Sequence, residues 1–190
     1  MTEFAFFQKF YGSLALLILA FWGMGQTALS LLKAPAQNDR WLQGALATSL
    51  GMGLFVVVLQ GLAVGGQLTR PALFVALIVS WGLALWQTVR AWRQRAATGR
   101  PATAVTWQAH ELFWLWVVLV ALAPTLVAPL TPPQQWDELM YHLPHARQWA
   151  MSGSLTVNEW LRFPWFPYNY DLLYAAALLL KGDVLAHLLH

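Results

Sequence analysis

Residues 11–32 have the sequence YGSLALLILAFWGMGQTALSLL, which contains no charged side chain. A helix of that length measures about 33 Å, which matches the roughly 30 Å thickness of the hydrocarbon core of a bilayer. Three further apolar stretches follow, at about residues 42–64, 71–89 and 112–130. Because a backbone in lipid has to satisfy its polar groups within its own segment, each stretch is predicted to be a transmembrane helix.

The composition of the whole chain excludes several other classes of protein. Of its 190 residues, 58% are hydrophobic and 10% are charged, whereas a soluble domain has about 25% charged residues. The same hydrophobicity excludes intrinsic disorder, and the lack of cysteine excludes a disulfide scaffold or a cysteine zinc site. The predicted fold class is therefore all-α: a polytopic transmembrane helix bundle with short interfacial helices in an outer loop.

Lysine and arginine are distributed unevenly between the predicted loops, and their distribution predicts the topology. Loops rich in these residues stay on the cytoplasmic side. The loop after the second span has only Arg70. The loops after the first and third spans carry the others: Lys33, Arg40, Arg90, Arg93, Arg95 and Arg100. We therefore expect the N-terminus, and everything after residue 130, on the outer (periplasmic) side of a cell (inner) membrane.

The clustered arginines after the third span have an alternative explanation, which is the binding of anionic lipid head groups. The net charge of +3 comes largely from this one short loop. Membrane lipids are therefore expected partners and nucleic acid is not. The sequence leaves the oligomeric state open.

Residues 131–182 differ in character from the spans and are predicted to form an outer loop. Asp137 can cap a helix through its side chain. Apolar residues at three- and four-residue spacing then predict a short helix that is interrupted by Pro144 and ends at Ser152-Gly153. Its amphipathic pattern favours a position along the membrane interface.

A second short helix is predicted at Leu172–Leu180, which has too few residues to span a membrane. Lys181-Gly182 ends this helix, and Asp183 caps another one. We expect residues 183–190 to be the start of a further transmembrane helix, and the chain to be the N-terminal part of a longer protein. The alternative is a complete five-span protein, in which Lys181 and Asp183 would lie in the membrane at a high cost in free energy.

The candidate catalytic residues are the adjacent carboxylates Asp137 and Glu138, which lie just beyond the fourth span. A carboxylate there can accept a proton from an attacking hydroxyl or amine, and an arginine can hold a phosphate. Flat aromatic rings can cover a sugar. The candidate substrate-binding residues are Tyr141, His142, Arg147, Arg162, Trp165 and Tyr168.

The same residues also have a purely structural explanation. Asp137 and Glu138 can stabilise the start of a helix through capping and the helix dipole. Arg147 can pair with a lipid phosphate, and the aromatic residues can line the membrane interface. The residues alone favour neither explanation over the other.

Ligand spacing along the sequence predicts no metal site. Motifs such as HExxH, GxSxG and a glycine-rich phosphate loop are missing. His142 and His145 lie three residues apart, which permits a two-histidine site, although hydrogen bonding is the more common role for such a pair. The sequence permits a divalent metal ion as a cofactor but does not require it.

The order of these motifs resembles the first outer loop of GT-C-type glycosyltransferases, a group that includes protein O-mannosyltransferases and lipid A aminoarabinose transferases. The resemblance spans roughly residues 112–190. In the best-known relatives the acidic loop follows the first span, whereas here it follows the fourth. The matching residues are Asp137-Glu138, Tyr141-His142-Leu143, Ala146 and Gly153, followed by the aromatic-proline loop and the Leu/Ala helix.

The resemblance implies an enzyme that transfers a sugar, with inversion, from a polyprenyl-phosphate donor to an acceptor on the outer face of the membrane. Asp137 would activate the acceptor, and Glu138 would orient Asp137, the acceptor or a divalent ion. Arg147 or Arg162 would stabilise the departing phosphate. The alternative function is that of a non-catalytic integral membrane subunit of an assembly or transport complex.

Overall fold

Helices account for most of the chain that the computed structural model describes, which comprises residues 3–35, 39–98, 108–131, 133–164 and 169–189. A 3-10 turn, Ala128–Leu130, follows the fourth long helix, and a π-helical turn, Glu138–His142, precedes the fifth α-helix. The described ranges contain no β-strand, so the predicted all-α class is confirmed. In chain order the α-helices are α1 Glu3–Leu31, α2 Arg40–Val64, α3 Arg70–Thr98, α4 Ala109–Val127, α5 Leu143–Ser152, α6 Asp171–Leu180 and α7 Asp183–Leu189.

The four long helices coincide with the four predicted spans. Each of α1 to α4 is long and apolar enough to cross a membrane. The prediction that the arginines after residue 89 lie in a loop is wrong for Arg90, Arg93 and Arg95, because α3 continues to Thr98. Arginine, glutamine and alanine are strong helix formers, so a change from apolar to charged residues does not end a helix. Arg100 lies outside the described residues.

Small residues bring α1 close to both α2 and α3. Gly25 of α1 and Gly51 of α2 approach so closely that a Cβ atom on either would overlap a backbone carbonyl of the other helix. On the α3 side, a Cβ on Gly23 would lie 2.6 Å from the carbonyl oxygen of Ser80. Gly53, only two residues beyond Gly51, has open space around it. The glycines therefore differ sharply in how much they matter for packing.

The segment 131–189 packs on one end of this helix bundle. The backbone N–H of Leu155 donates to the carbonyl of Ala63, near the end of α2, at 3.1 Å. Arg70 lies at the same end, where α3 begins. Arg90 follows it by 20 residues, which is about 30 Å of helix. The segment 131–189 and the arginine-rich end of α3 therefore lie at opposite ends of the bundle.

The fourth long helix packs against little of the described chain. None of the residues of α4 is buried. Its C-terminal end meets the beginning of α1, where the hydroxyl of Tyr11 donates to the carbonyl of Leu126 at 2.6 Å. The described part of the chain consequently leaves the flanks of α4 uncovered.

Helix α6 forms the buried centre of the segment 131–189. All its residues from Asp171 to Ala177 are buried, in contact with α2, α3, α5 and α7. Pro144 is accommodated in the first turn of α5, where its missing N–H breaks no helical hydrogen bond. As predicted, α5 ends at Ser152 and α6 ends at Leu180. Gly153 and Gly182, which follow these ends, have φ of +72° and +99°, values that favour glycine. The predicted interfacial position of these short helices stays a prediction.

Candidate active site

Residues 136–142 form the acidic turn, which leads from the end of the bundle into α5. The N–H of Leu143 donates to the carbonyl of Glu138, five residues back, which is the π-helical pattern. Pro144 follows directly and cannot donate at all, so the regular α-helical bonding is interrupted at this junction. Single π turns of this kind occur frequently at functional sites.

Asp137 lies in the acidic turn with an exposed side chain. The prediction that it caps a helix is wrong: its φ and ψ of −61° and −41° are already helical, and its side chain makes no capping hydrogen bond. Its carboxylate instead accepts a hydrogen bond from the phenol of Tyr141, one turn further on. Partial burial, the charge of Asp137 and this hydrogen bond raise the pKa of Tyr141. Tyr141 is thus a neutral donor to an exposed carboxylate.

Glu138 has a different partner from its neighbour. Its carboxylate oxygen Oε1 contacts Nε2 of His187, on α7. Both side chains are largely shielded from solvent. The contact ties the acidic turn to α7. The predicted role of Glu138 in orienting Asp137 or the acceptor stays a prediction.

His142 and Asp171 form a polar contact between the acidic turn and α6. The ring nitrogen Nδ1 of His142 lies 2.9 Å and 3.2 Å from the two carboxylate oxygens of Asp171. Asp171 is 1% exposed. Burial raises the pKa of Asp171 to about 6, although the neighbouring His142 lowers it in part. This pair fixes the imidazole of His142 and leaves its side chain 32% exposed.

Replacement of His142 by alanine should destabilise the protein most above pH 6. Because burial raises the pKa of Asp171 from 3.8 to about 6, ionisation of Asp171 lowers stability as pH rises through that interval. Without His142, the buried charge loses its partner, and we expect a loss of about 2 kcal/mol in the free energy of unfolding. Thermal unfolding of the detergent-solubilised protein at pH 5 and pH 8 measures this.

The double variant His142→Ala/Asp171→Asn is the control. It should recover part of the stability at pH 8, because a carboxamide carries no charge into the buried site. An equal loss at both pH values, with no recovery in the double variant, would show that His142 contributes through packing alone.

The loop after α5 places Arg162 beside the acidic turn. His145 is buried, and its Nε2 lies 3.1 Å from the carbonyl oxygen of Arg162, which can only accept a hydrogen bond. The guanidinium carbon of Arg162 lies 4.9 Å from the ring centre of Trp136. The ring of Phe163 packs edge-on against Tyr141, with 5.3 Å between centroids. The turn that carries Asp137 thus contributes two aromatic rings, and a cation and a third aromatic ring pack against them.

Arg147 lies at a different place, on the exposed side of α5. Together with Arg70 it lines an open pocket of about 1210 Å³, whose described lining does not include Asp137 or Glu138. The Nε of Arg70 donates to the carbonyl of Leu179 at the rim of this pocket. The two arginines that the sequence suggested for a phosphate are therefore not equivalent, since Arg162 is the one next to the acidic turn.

Two of the predicted substrate-binding residues, Trp165 and Tyr168, lie outside the described residues. Sequence reasoning also missed one residue of the site. This residue is Asp171, which lies buried in the first turn of α6 and contacts His142. The available signal was a single acid at the start of an otherwise apolar helix that is too short to span a membrane.

Metal binding finds no support in the described part of the chain. It contains no group of three or more His, Asp or Glu side chains that could hold a metal ion. His142 and His145 are oriented toward different partners, namely Asp171 and the carbonyl of Arg162. The described residues therefore do not bring together a set of side-chain ligands for a divalent ion.

Comparisons with known proteins add one related sequence. No family model and no solved structure matches the chain. It is similar to an uncharacterized protein of Shigella flexneri, with 34% identity over 133 residues, which is 70% of this chain and 62% of that protein. The matched part thus spans less than two thirds of that relative.

Proposed function

We propose that the chain is a multi-pass protein of the cell (inner) membrane, with α1 to α4 crossing the bilayer and residues 131–189 on the outer face. Four helices have the length and hydropathy for this. The arginine-rich end of α3 lies about 30 Å from the end that carries the segment 131–189. The positive-inside rule then places the N-terminus and the acidic turn outside.

We further propose that the segment 131–189 is the catalytic part of a GT-C-type glycosyltransferase, which transfers a sugar from a polyprenyl-phosphate donor. The observation that carries this proposal is the exposure and the hydrogen bonding of the Asp137 side chain. Its carboxylate is exposed and serves no helix cap, and its partner is the phenol of Tyr141. A structural acid would be expected to bind backbone N–H groups or a fixed cation.

In the proposed reaction, Asp137 accepts the proton of the acceptor hydroxyl or amine. The acceptor atom attacks the anomeric carbon, and the bond from that carbon to the donor phosphate breaks on the opposite face. The bonding electrons leave with the phosphate oxygen, where Arg162 would stabilise the charge. The rings of Trp136 and Phe163 would cover the sugar. The neutral phenol of Tyr141 would hold the carboxylate in place.

One observation favours a second candidate function. No residue of α4 is buried, so this helix offers its surface to other transmembrane helices. A non-catalytic subunit of an assembly or transport complex would use such a surface. In that case the acidic turn would serve only to connect the bundle to α6 and α7.

Photo-crosslinking of the donor distinguishes the two functions. Vesicles containing the protein would be irradiated with a diazirine analogue of a polyprenyl-phosphate sugar, and the labelled peptides mapped by mass spectrometry. We expect labels within residues 131–189, removed by excess unlabelled donor and not by phosphatidylglycerol. Labels spread along α1 to α4 and insensitive to competition would contradict the enzyme and favour the subunit.

A further inference from the structure

A second polar site lies at the other end of the bundle, far from the acidic turn. It is an open pocket of about 540 Å³ between the C-terminal halves of α1 and α3 and the start of α2. Arg90 lies at this level, 20 residues along α3 from Arg70. That separation is about 30 Å, the thickness of a hydrocarbon core. In the membrane placement proposed above, the pocket opens at the cytoplasmic head-group level.

The lining of this pocket is rich in hydrogen-bond donors. Two guanidinium groups, of Arg90 and Arg95, face it, and no described lining residue is an acid. The remaining polar lining is made of amides and hydroxyls: Gln26, Gln43, Gln87, Gln94, Ser30 and Thr88. The two guanidinium groups match the oxygens of a phosphate group, which accept hydrogen bonds and carry negative charge.

Contacts between the helices hold these groups in place. Arg90 Nη1 donates to the hydroxyl of Ser30 at 2.9 Å, and its guanidinium carbon lies 5.7 Å from the ring centre of Trp86. At the base of the pocket, the amide of Gln87 donates to the hydroxyl of Thr27 at 3.1 Å. Both of these side chains are buried. Burying polar side chains inside a membrane-spanning bundle costs free energy unless they have a function or a partner.

Apolar groups on the same pocket favour a lipid over a soluble anion. Trp22 and Trp92 both line it, and tryptophan rings prefer the head-group level of a bilayer. Leu29, Ala34 and Ala91 add apolar lining. A lipid would place its phosphate among the arginines and its glycerol and first methylene groups against these side chains.

We propose that this pocket binds the phosphate of an anionic phospholipid of the inner leaflet. The proposal rests on the membrane placement and is independent of sugar transfer. Arg93 provides the internal comparison, because it lies on the same turn of α3 and does not line the pocket. If lipid binds at this pocket, replacing Arg90 or Arg95 should therefore weaken binding more than replacing Arg93.

Electron paramagnetic resonance of spin-labelled phosphatidylglycerol tests the proposal. The protein would be reconstituted in phosphatidylcholine vesicles at 0.15 M salt, where the Debye length of about 8 Å limits general surface attraction. Each arginine near a membrane surface strengthens the binding of anionic lipid by about fivefold. The pair Arg90→Gln/Arg95→Gln should therefore lower the selectivity for phosphatidylglycerol over phosphatidylcholine by about 25-fold.

The matched control is Lys33→Gln/Arg93→Gln, which removes the same charge from the same end of the protein without touching the pocket lining. It should retain most of the selectivity. Arg95→Gln alone keeps the bond from Arg90 to Ser30 and should give an intermediate loss, which guards against misfolding as the cause.

Three outcomes are informative. Equal losses in the two double variants, or no loss in either, would overturn the proposal. Displacement of the spin-labelled lipid by 10 mM inorganic phosphate, again dependent on Arg90 and Arg95, would support a phosphate site but assign it to a soluble phosphate. Selectivity that depends on these arginines and resists phosphate supports the lipid.

Discussion

Gly51→Ala should destabilise the helix bundle by about 3 kcal/mol, although alanine is normally the better helix former. A Cβ at residue 51 would overlap the backbone carbonyl of Phe21, so α1 and α2 would have to separate. Overpacking a tight contact costs about 1–3 kcal/mol, and a helix backbone has little freedom to yield. Because α1 also packs against α3, displacement of α1 disturbs both of its interfaces.

Gly53→Ala provides the comparison on the same helix. Nothing lies within 4 Å of a Cβ at residue 53, so the intrinsic preference for alanine should apply, with a gain of about 0.5–1 kcal/mol. The free energy of unfolding would be measured by titration with sodium dodecyl sulfate in mixed micelles, with circular dichroism as the signal. Equal stabilities of the two variants would show that α1 and α2 do not meet at residues 25 and 51.

The long helices could be predicted from sequence because their signal is local. A run of about 20 apolar residues is enough to identify a span, and Gly153 and Gly182 marked helix ends by residue type alone. The end of α3 could not be placed in this way. The prediction stopped where charge began, at Arg90, whereas the helix continues for two more turns because backbone hydrogen bonding does not depend on polarity.

The candidate site could be predicted only in part. Asp137, Tyr141 and His142 lie close together in sequence, and the structure keeps them together on the acidic turn. Asp171 lies 29 residues from its partner His142, and no periodicity or motif connects the two. Glu138 and His187, which also contact each other, are likewise far apart in the sequence and are connected by no motif. Pairings of this kind depend on how α6 and α7 fold back onto the turn.

The largest expected effect is that of Asp137→Asn on sugar transfer. Asparagine has nearly the same size and still accepts a hydrogen bond from Tyr141, but it cannot accept a proton from the acceptor. Because Asp137 makes no capping bond, the change removes no support from the helix. Loss of a general base lowers the rate by about 10²–10⁴. Glu138→Gln makes the same chemical change at the adjacent residue and should cost less, since Glu138 contacts His187.

The decisive measurement is the transfer of radiolabelled sugar from a polyprenyl-phosphate donor in membranes that contain the protein as its cell makes it. Wild type, Asp137→Asn and Glu138→Gln would be compared at equal amounts of membrane-inserted protein. The account predicts that label leaves the lipid donor with the wild type and does so at least about 100-fold more slowly with Asp137→Asn. Insertion of Asp137→Asn at the normal level together with transfer near the wild-type rate, or no transfer by the wild type, would contradict it.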